Sequence, residues 1–171
     1  NLWLPAVLRD EKHHLPIHPS KMVTLVNTTA RSSYDILGKT RGIGPNQTTP
    51  AFDTFAEAMR AIYLDITTIS AEELEMGALP NDGLIVAVTE NYPLPGVDFD
   101  TGSQSGLISA LYERAGDRLI VVALRDPYEL SALPPVGTYV CAFSFRPASA
   151  RAAADVLSGR APSAGKTPVV R

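Results

Sequence analysis

The sequence predicts a three-layer α/β/α sandwich built on a mostly parallel sheet of five or six strands. Three observations carry that expectation. Four short runs rich in Val, Ile and Leu (residues 22–26, 84–88, 119–124 and 139–145) barely alternate between apolar and polar residues, which fits strands covered on both faces. Segments with helical apolar spacing lie between those runs, so strand and helix alternate along the chain. Right-handed crossovers between parallel strands then carry the helices to both faces of the sheet.

The elements follow in order. Residues 22–26 form the first strand. The polar segment 28–49, with Gly38, Gly42, Gly44 and Pro45, reads as a long loop of the kind that is usually functional or mobile. Phe52, Phe55, Met59 and Ile62 then recur at three and four residues and give one helical apolar stripe. Thr49 is the predicted N-cap of that helix and Pro50 its first residue, where a missing N–H costs nothing. Residues 63–69 alternate and read as a further strand. Ser70 and Glu73 make a capping-box pattern for a short helix that Gly77 ends. After the strand at 84–88, Leu107, Ile108, Leu111, Tyr112 and Ala115 form the clearest amphipathic stripe, closed by Gly116. Strands at 119–124 and 139–145 follow, then a helix over 147–158 with Gly159 as its stop. The terminal Pro168-Val169-Val170 reads as an edge strand or a docking arm.

A length of 171 residues suits a single domain spanning 1–171, with a sizeable core. Apolar residues make up 45% and charged residues 19%, so collagenous and wholly disordered classes are out. Fifteen Lys+Arg against eighteen Asp+Glu leave a net charge of −3 and no basic stripe, which argues against nucleic-acid binding by phosphate neutralisation. The one cysteine, Cys141, cannot close an intramolecular disulfide. No apolar run approaches the length of a membrane span. The chain opens at Asn1 without a methionine and reads as a processed or trimmed piece. Its compartment stays open: the cytoplasm is slightly favoured, and a secreted or cell-envelope location follows if a leader was removed.

In an open α/β sheet, ligands sit outside the carboxyl ends of the strands. Glu90, Asn91, Arg125 and Asp126 follow two of the predicted strands and form the candidate ligand rim, suited to a polar ligand such as a sugar. Asn27, Thr28, Ser144 and Arg146 hold equivalent places. The commoner role of strand-end polar residues is to cap helices and satisfy loop backbone. Gly42-Ile43-Gly44 neither follows a strand directly nor opens a helix, and no Walker A sequence occurs, so no cofactor is expected. His13, His14 and His18 cluster, but adjacent histidines in an extended stretch point to opposite sides, so no metal is expected. No Gly-x-Ser-x-Gly elbow is present, and a mid-strand Cys141 reads as an inert small hydrophobe. Glu90, Asp98, Asp100 and Asp126 could supply a pair of carboxylates for glycoside hydrolysis, yet no second feature pairs any two of them. Asn27-Thr28-Thr29 and Asn46-Gln47-Thr48 match glycosylation sequons, a match that is frequent by chance.

The second half carries a resemblance. Its parts are Gly83-Leu-Ile-Val-Ala-Val-Thr89, a helix with Gln104 and Leu107-Ile108-Ser109-Ala110-Leu111, then Leu119-Ile-Val-Val-Ala-Leu-Arg-Asp-Pro-Tyr-Glu-Leu130 and Thr138-Tyr-Val-Cys-Ala-Phe143. Ala154-Asp-Val-Leu-Ser-Gly159 and Gly165-Lys-Thr-Pro-Val169 close the run. This order resembles the C-terminal α/β sandwich domain of glycoside hydrolase family three, especially its bacterial β-N-acetylhexosaminidase branch. Residues 122–130 are the most telling piece. Val7-Leu8-Arg9-Asp10 with Leu15-Pro16-Ile17 is similar to the family's lead-in to that domain. Asp126 stands where the branch often has asparagine, and Ser158 where an aromatic is usual.

The resemblance implies a division of labour. In that family the nucleophilic aspartate sits on an N-terminal (β/α)8 barrel, and in the hexosaminidase branch so does the His–Asp acid/base pair. A barrel takes about 250 residues, and its Lys-His-Phe-type and Ser-Asp-Met-type motifs are absent here. In the glucosidase branch the sandwich domain lends an acid/base glutamate, a role that no motif assigns to Glu90. The expectation is therefore an accessory domain, belonging to a hydrolase family but without catalytic residues of its own. Its partner is the catalytic barrel or a homologous subunit, with carbohydrate as the ligand class. The alternatives are a stand-alone carbohydrate- or small-molecule-binding module and a self-sufficient hydrolase using strand-end carboxylates.

Overall fold

The computed structural model describes residues 4–39, 50–90, 101–125 and 127–166. In chain order they form β1 (Ala6–Asp10), β2 (Val23–Asn27), α1 (Arg31–Lys39), α2 (Ala51–Arg60), β3 (Ile66–Ile69), α3 (Ala71–Glu75), β4 (Leu84–Thr89), α4 (Thr101–Ala115), β5 (Leu119–Ala123), β6 (Thr138–Cys141) and α5 (Pro147–Leu157). The strands make one sheet in the order β1-β6-β5-β4-β2-β3. Every neighbouring pair is parallel except β1 with β6. This is the three-layer α/β/α sandwich that the apolar runs predict.

The reason those runs scarcely alternate is visible in where their side chains go. Leu84, Val86 and Val88 of β4 enter one core with Leu25, Ile120 and Val122, under Phe52, Phe55 and Met59 of α2 and Ala150, Ala153 and Leu157 of α5. Ile85 and Ala87 enter the other with Val26, Leu119 and Val121, against Ile108, Leu111 and Ala115 of α4. Successive residues of a strand point to opposite faces, so a strand buried on both sides is apolar at nearly every position; Thr24 of β2, buried among them, pairs its hydroxyl with that of Thr67 at 3.1 Å. Cys141 is fully buried in the second core. A thiol reagent is therefore expected to label it only at the rate of unfolding, and rapid labelling of the native protein would contradict its place in β6.

Local signals account for several boundaries. The Ser70–Glu73 capping box is formed in both directions, and Gly77, Gly116 and Gly159 all take positive φ where their helices end. Gly83 has φ +80, and a Cβ there would stand 2.7 Å from the Met22 carbonyl oxygen. Only glycine allows the turn into β4 to pass so close to the chain entering β2.

Other boundaries differ from expectation. Part of the polar segment read as loop is helix α1; residues 40–49, including Thr49, lie outside the described residues. Pro50 is the N-cap of α2 rather than its first residue. The strand expected over 63–69 begins at Ile66, because Tyr63 drops into the core and donates its hydroxyl to the Ile17 carbonyl at 3.0 Å. Burial pushes that hydroxyl up to about 12, against the opposing pull of Arg160. β6 stops at Cys141, two residues before Phe143 takes a left-handed φ of 57° and turns the chain.

β1 was not expected as a strand. It is a half-exposed edge strand whose register with β6 breaks between Val7 and Arg9, so its apolar pattern is short and interrupted. The chain after α5 returns beside its start: Val7 N donates to Ser163 Oγ at 2.8 Å and Gly165 N to the Pro5 carbonyl at 3.0 Å. Pro168-Val169-Val170 lies outside the described residues.

Candidate functional site

Since β2, β4, β5 and β6 are parallel, their carboxyl ends share one rim. From β2 the chain crosses outward to β3, whereas from β4 it crosses the opposite way to β5 and β6. The two connections part between β2 and β4. That is the topological switch point, where the loops of an open α/β sheet leave a crevice.

Glu90 follows β4 at this point and is fully buried. Its Oε1 accepts from the Phe52 backbone N–H at 2.6 Å and from the Tyr34 hydroxyl at 2.9 Å. Phe52 lies in the first turn of α2, whose N–H groups have no partner within the helix. Pro50 at the N-cap makes no side-chain cap. The glutamate supplies the cap from across the sheet, and its negative charge suits the positive end of the helix. Burial, followed by the Glu90 charge, raises the Tyr34 hydroxyl far above its ordinary value, so it stays a donor.

Gln104 of α4 clamps the backbone of the same residue. Its Oε1 accepts from Glu90 N at 3.0 Å, and its Nε2 donates to the Glu90 carbonyl at 3.2 Å. On the β2 side, Thr28 Oγ1 donates to the Val88 carbonyl at 2.8 Å and Thr29 Oγ1 to Gln104 Oε1 at 3.4 Å. Asn27 Oδ1 accepts from Thr29 N at 3.0 Å, and Asn27 Nδ2 donates to the Tyr34 hydroxyl at 3.1 Å. The Asn27 sequon is thus folded into the network, its amide nitrogen engaged and Thr29 buried. Between these groups lies a hollow of about 140 Å³ lined by Thr28, Thr29, Ser32, Ser33, Ser103 and Gln104.

Arg125 follows β5, the parallel neighbour of β4, and its guanidinium lies over the Phe145 ring, 5.3 Å from the centroid, a cation–π contact. Glu90 and Arg125 therefore leave adjacent strands at the same rim and engage different elements. Asn91 and Asp126 lie outside the described residues. Ser144 Oγ accepts from Arg146 N at 3.2 Å just ahead of α5. His14 Nε2 meets the Asp117 carbonyl, and His18 Nδ1 accepts from Ser20 N at 3.2 Å. No group of three His, Cys, Asp or Glu that could hold a metal occurs among the described residues, and no helix there is long and apolar enough to cross a membrane.

No protein-family model and no curated protein matches the chain. Solved structures do. A glycoside hydrolase family 3 β-N-acetylglucosaminidase from Paenibacillus sp. superposes with a TM-score of 0.67 over 95% of this chain, at 22% identity. A fungal multi-domain family 3 β-N-acetylglucosaminidase gives 0.64 over 92% at 19% identity, and a family 3 β-glucosidase from Bifidobacterium adolescentis 0.59 over 91% at 17%. The fold is that of a glycoside hydrolase family three domain. The chain spans 29%, 17% and 25% of those three proteins, respectively. Both glucosaminidases and a glucosidase share the fold, so the likeness covers the domain and not one branch.

Site residues that the sequence does not mark include Tyr34, whose hydroxyl donates to Glu90 Oε1, and two more at the rim. One is Gln104, which the sequence places only on a helix. The other is Glu129, whose Oε1 accepts from Thr89 Oγ1 and from the Tyr139 hydroxyl, the latter at 3.2 Å. It ties the loop after β5 to β4 and β6. The available signal was its place in the stretch 122–130, which carried the resemblance without saying what each residue does.

Proposed function

We propose that residues 1–171 form a single accessory domain, the C-terminal α/β sandwich of a family-three glycoside hydrolase of the β-N-acetylhexosaminidase branch. It packs on a catalytic (β/α)8 barrel, within the same protein or on a homologous subunit, and does not catalyse by itself. The observation that supports this reading best is the superposition on 95% of this chain but only 29% of a β-N-acetylglucosaminidase. The sequence of residues 122–130 and the closing Asp155-Val156-Leu157 and Gly165-Lys166 point the same way. Retaining hydrolysis needs a nucleophile and an acid/base carboxyl group about 5–5.5 Å apart across the scissile bond, or an equivalent His-based pair. Glu90, the described rim glutamate that follows β4, is buried and holds α2.

The purified chain is accordingly expected to show no turnover of aryl β-N-acetylglucosaminides or aryl β-glucosides. Hydrolysis should appear when the barrel encoded in the same reading frame is supplied. Turnover by the chain alone that survives repurification and is lost in Glu90→Gln overturns the reading. A parent gene that encodes no barrel favours the binding module instead, a reading that the polar hollow at the switch point also supports.

A further inference from the structure

We infer that Asp82-Gly83 is a self-modifying site, at which the native protein converts aspartate to isoaspartate through a succinimide ring. The inference concerns the turn into β4 and stands with or without the family-three reading. Asp82-Gly83 is the one Asp-Gly pair in the chain, and no Asn-Gly pair occurs. Ring closure at an aspartate needs a carboxyl group without partners and a following backbone nitrogen that can reach it. It also needs that nitrogen to be unshielded, which a glycine without Cβ provides.

The three conditions meet here. Asp82 is exposed, and its carboxylate makes no hydrogen bond or ion pair among the described residues. The Gly83 N–H donates to no group there either. Arg118 pins the two ends of the turn by donating to the Pro80 carbonyl at 3.4 Å and the Gly83 carbonyl at 3.0 Å. It leaves the Asp82 side chain and the Gly83 nitrogen between those points unengaged. Asp35, Asp53, Asp65 and Asp117 are exposed too, but they precede Ile36, Thr54, Ile66 and Arg118, whose side chains crowd the attacking nitrogen. The step balances without a co-reactant. The Gly83 nitrogen bonds to Asp82 Cγ, and one carboxyl oxygen leaves as water with the carboxyl and amide protons. Water then reopens the ring. Breaking the new bond to Cγ restores aspartate. Breaking the bond from the nitrogen to the Asp82 main-chain carbonyl carbon leaves isoaspartate, with a free α-carboxylate.

The product does not fit the turn. Isoaspartate brings Asp82 Cβ into the main chain and lengthens it by about 1.5 Å. Gly83 has no room to shift toward β2, because a Cβ on it already falls 2.7 Å from the Met22 carbonyl oxygen. Leu84 N donates to that same oxygen at 2.9 Å. The added atom therefore pulls a carbonyl off Arg118 or slides the start of β4 along β2. Since β4 lies inside the sheet, between β5 and β2, the protein loses stability as it ages.

The test is to age the purified protein for several weeks at neutral pH and physiological temperature in water enriched in heavy oxygen. Peptides are then mapped by mass spectrometry, with a protease that cleaves before aspartate but not before isoaspartate. The peptide carrying Asp82 is expected to gain heavy oxygen and to lose cleavage before residue 82. Its rate should lie within about tenfold of that in the urea-unfolded chain, because exposed turns open at little cost. Peptides carrying Asp35, Asp53, Asp65 and Asp117 should gain none. Asp82→Glu, which keeps the charge but closes a six-membered ring far more slowly, should abolish both signals. The isoaspartyl form, separated by chromatography, should unfold at a lower urea midpoint than the original. Incorporation at Asp82 slowed more than about tenfold by folding, equal incorporation at the other aspartates, persistence in Asp82→Glu, or an isoaspartyl form as stable as the original overturns the inference.

Discussion

Glu90→Ala is expected to destabilise the protein by about 3–5 kcal/mol, because hydrogen bonds to charged groups contribute about 1.5–3 kcal/mol each and stranded buried donors cost more. The truncation leaves the Phe52 N–H and the Tyr34 hydroxyl without their shared acceptor. It also removes the negative charge at the N-terminus of α2, a helix whose own N-cap is a proline. Glu90→Gln keeps an acceptor oxygen at similar reach and should cost only about 1–2 kcal/mol. Urea unfolding of the three proteins checks both figures. A loss under about 1 kcal/mol for the alanine variant would show that α2 is held by its apolar face alone.

The second large effect lies in the two cores. Phe55→Ala should cost about 3–5 kcal/mol and Leu111→Ala about 2–5 kcal/mol, through lost burial and the cavities left behind. Both side chains are fully buried, but Phe55 packs on one face of the sheet and Leu111 on the other. With the sheet between them and no shared partners, the two losses should add to within about 0.5 kcal/mol. Native domains have only about 5–15 kcal/mol to lose, so the double variant should unfold at a far lower urea concentration than either single variant. A coupling well above that margin would mean that the cores relax together through the strands.

Much of the architecture was legible in the sequence for one reason. β2, β4 and β5 are buried on both faces, so residues such as Leu84-Ile85-Val86 are apolar throughout, and composition alone marks the element. The Ser70–Glu73 box and the glycines at 77, 116 and 159 mark helix ends because each acts through its own local backbone. β1 was hidden because one face of an edge strand meets solvent and its register breaks. The rim could be located from sequence, since strand ends are strand ends, but the direction in which each rim side chain turns could not.

By itself, then, the sequence determined the layers, the parallel core strands and the likeness to a family-three sandwich domain, all of which rest on patterns repeated over many residues. Only the tertiary structure decided that Arg31–Lys39 is a helix. Its two serines and one glycine are poor helix formers, and it is anchored through Glu72 at its head and through Tyr34 to Asn27 and Glu90. Likewise, only the structure decided that Glu90 caps α2 rather than facing outward, and that Thr28, Thr29 and Gln104 enclose a hollow. Those contacts join residues 38 to 76 positions apart, and a hydrogen bond between single side chains at that separation leaves no periodic trace in a sequence.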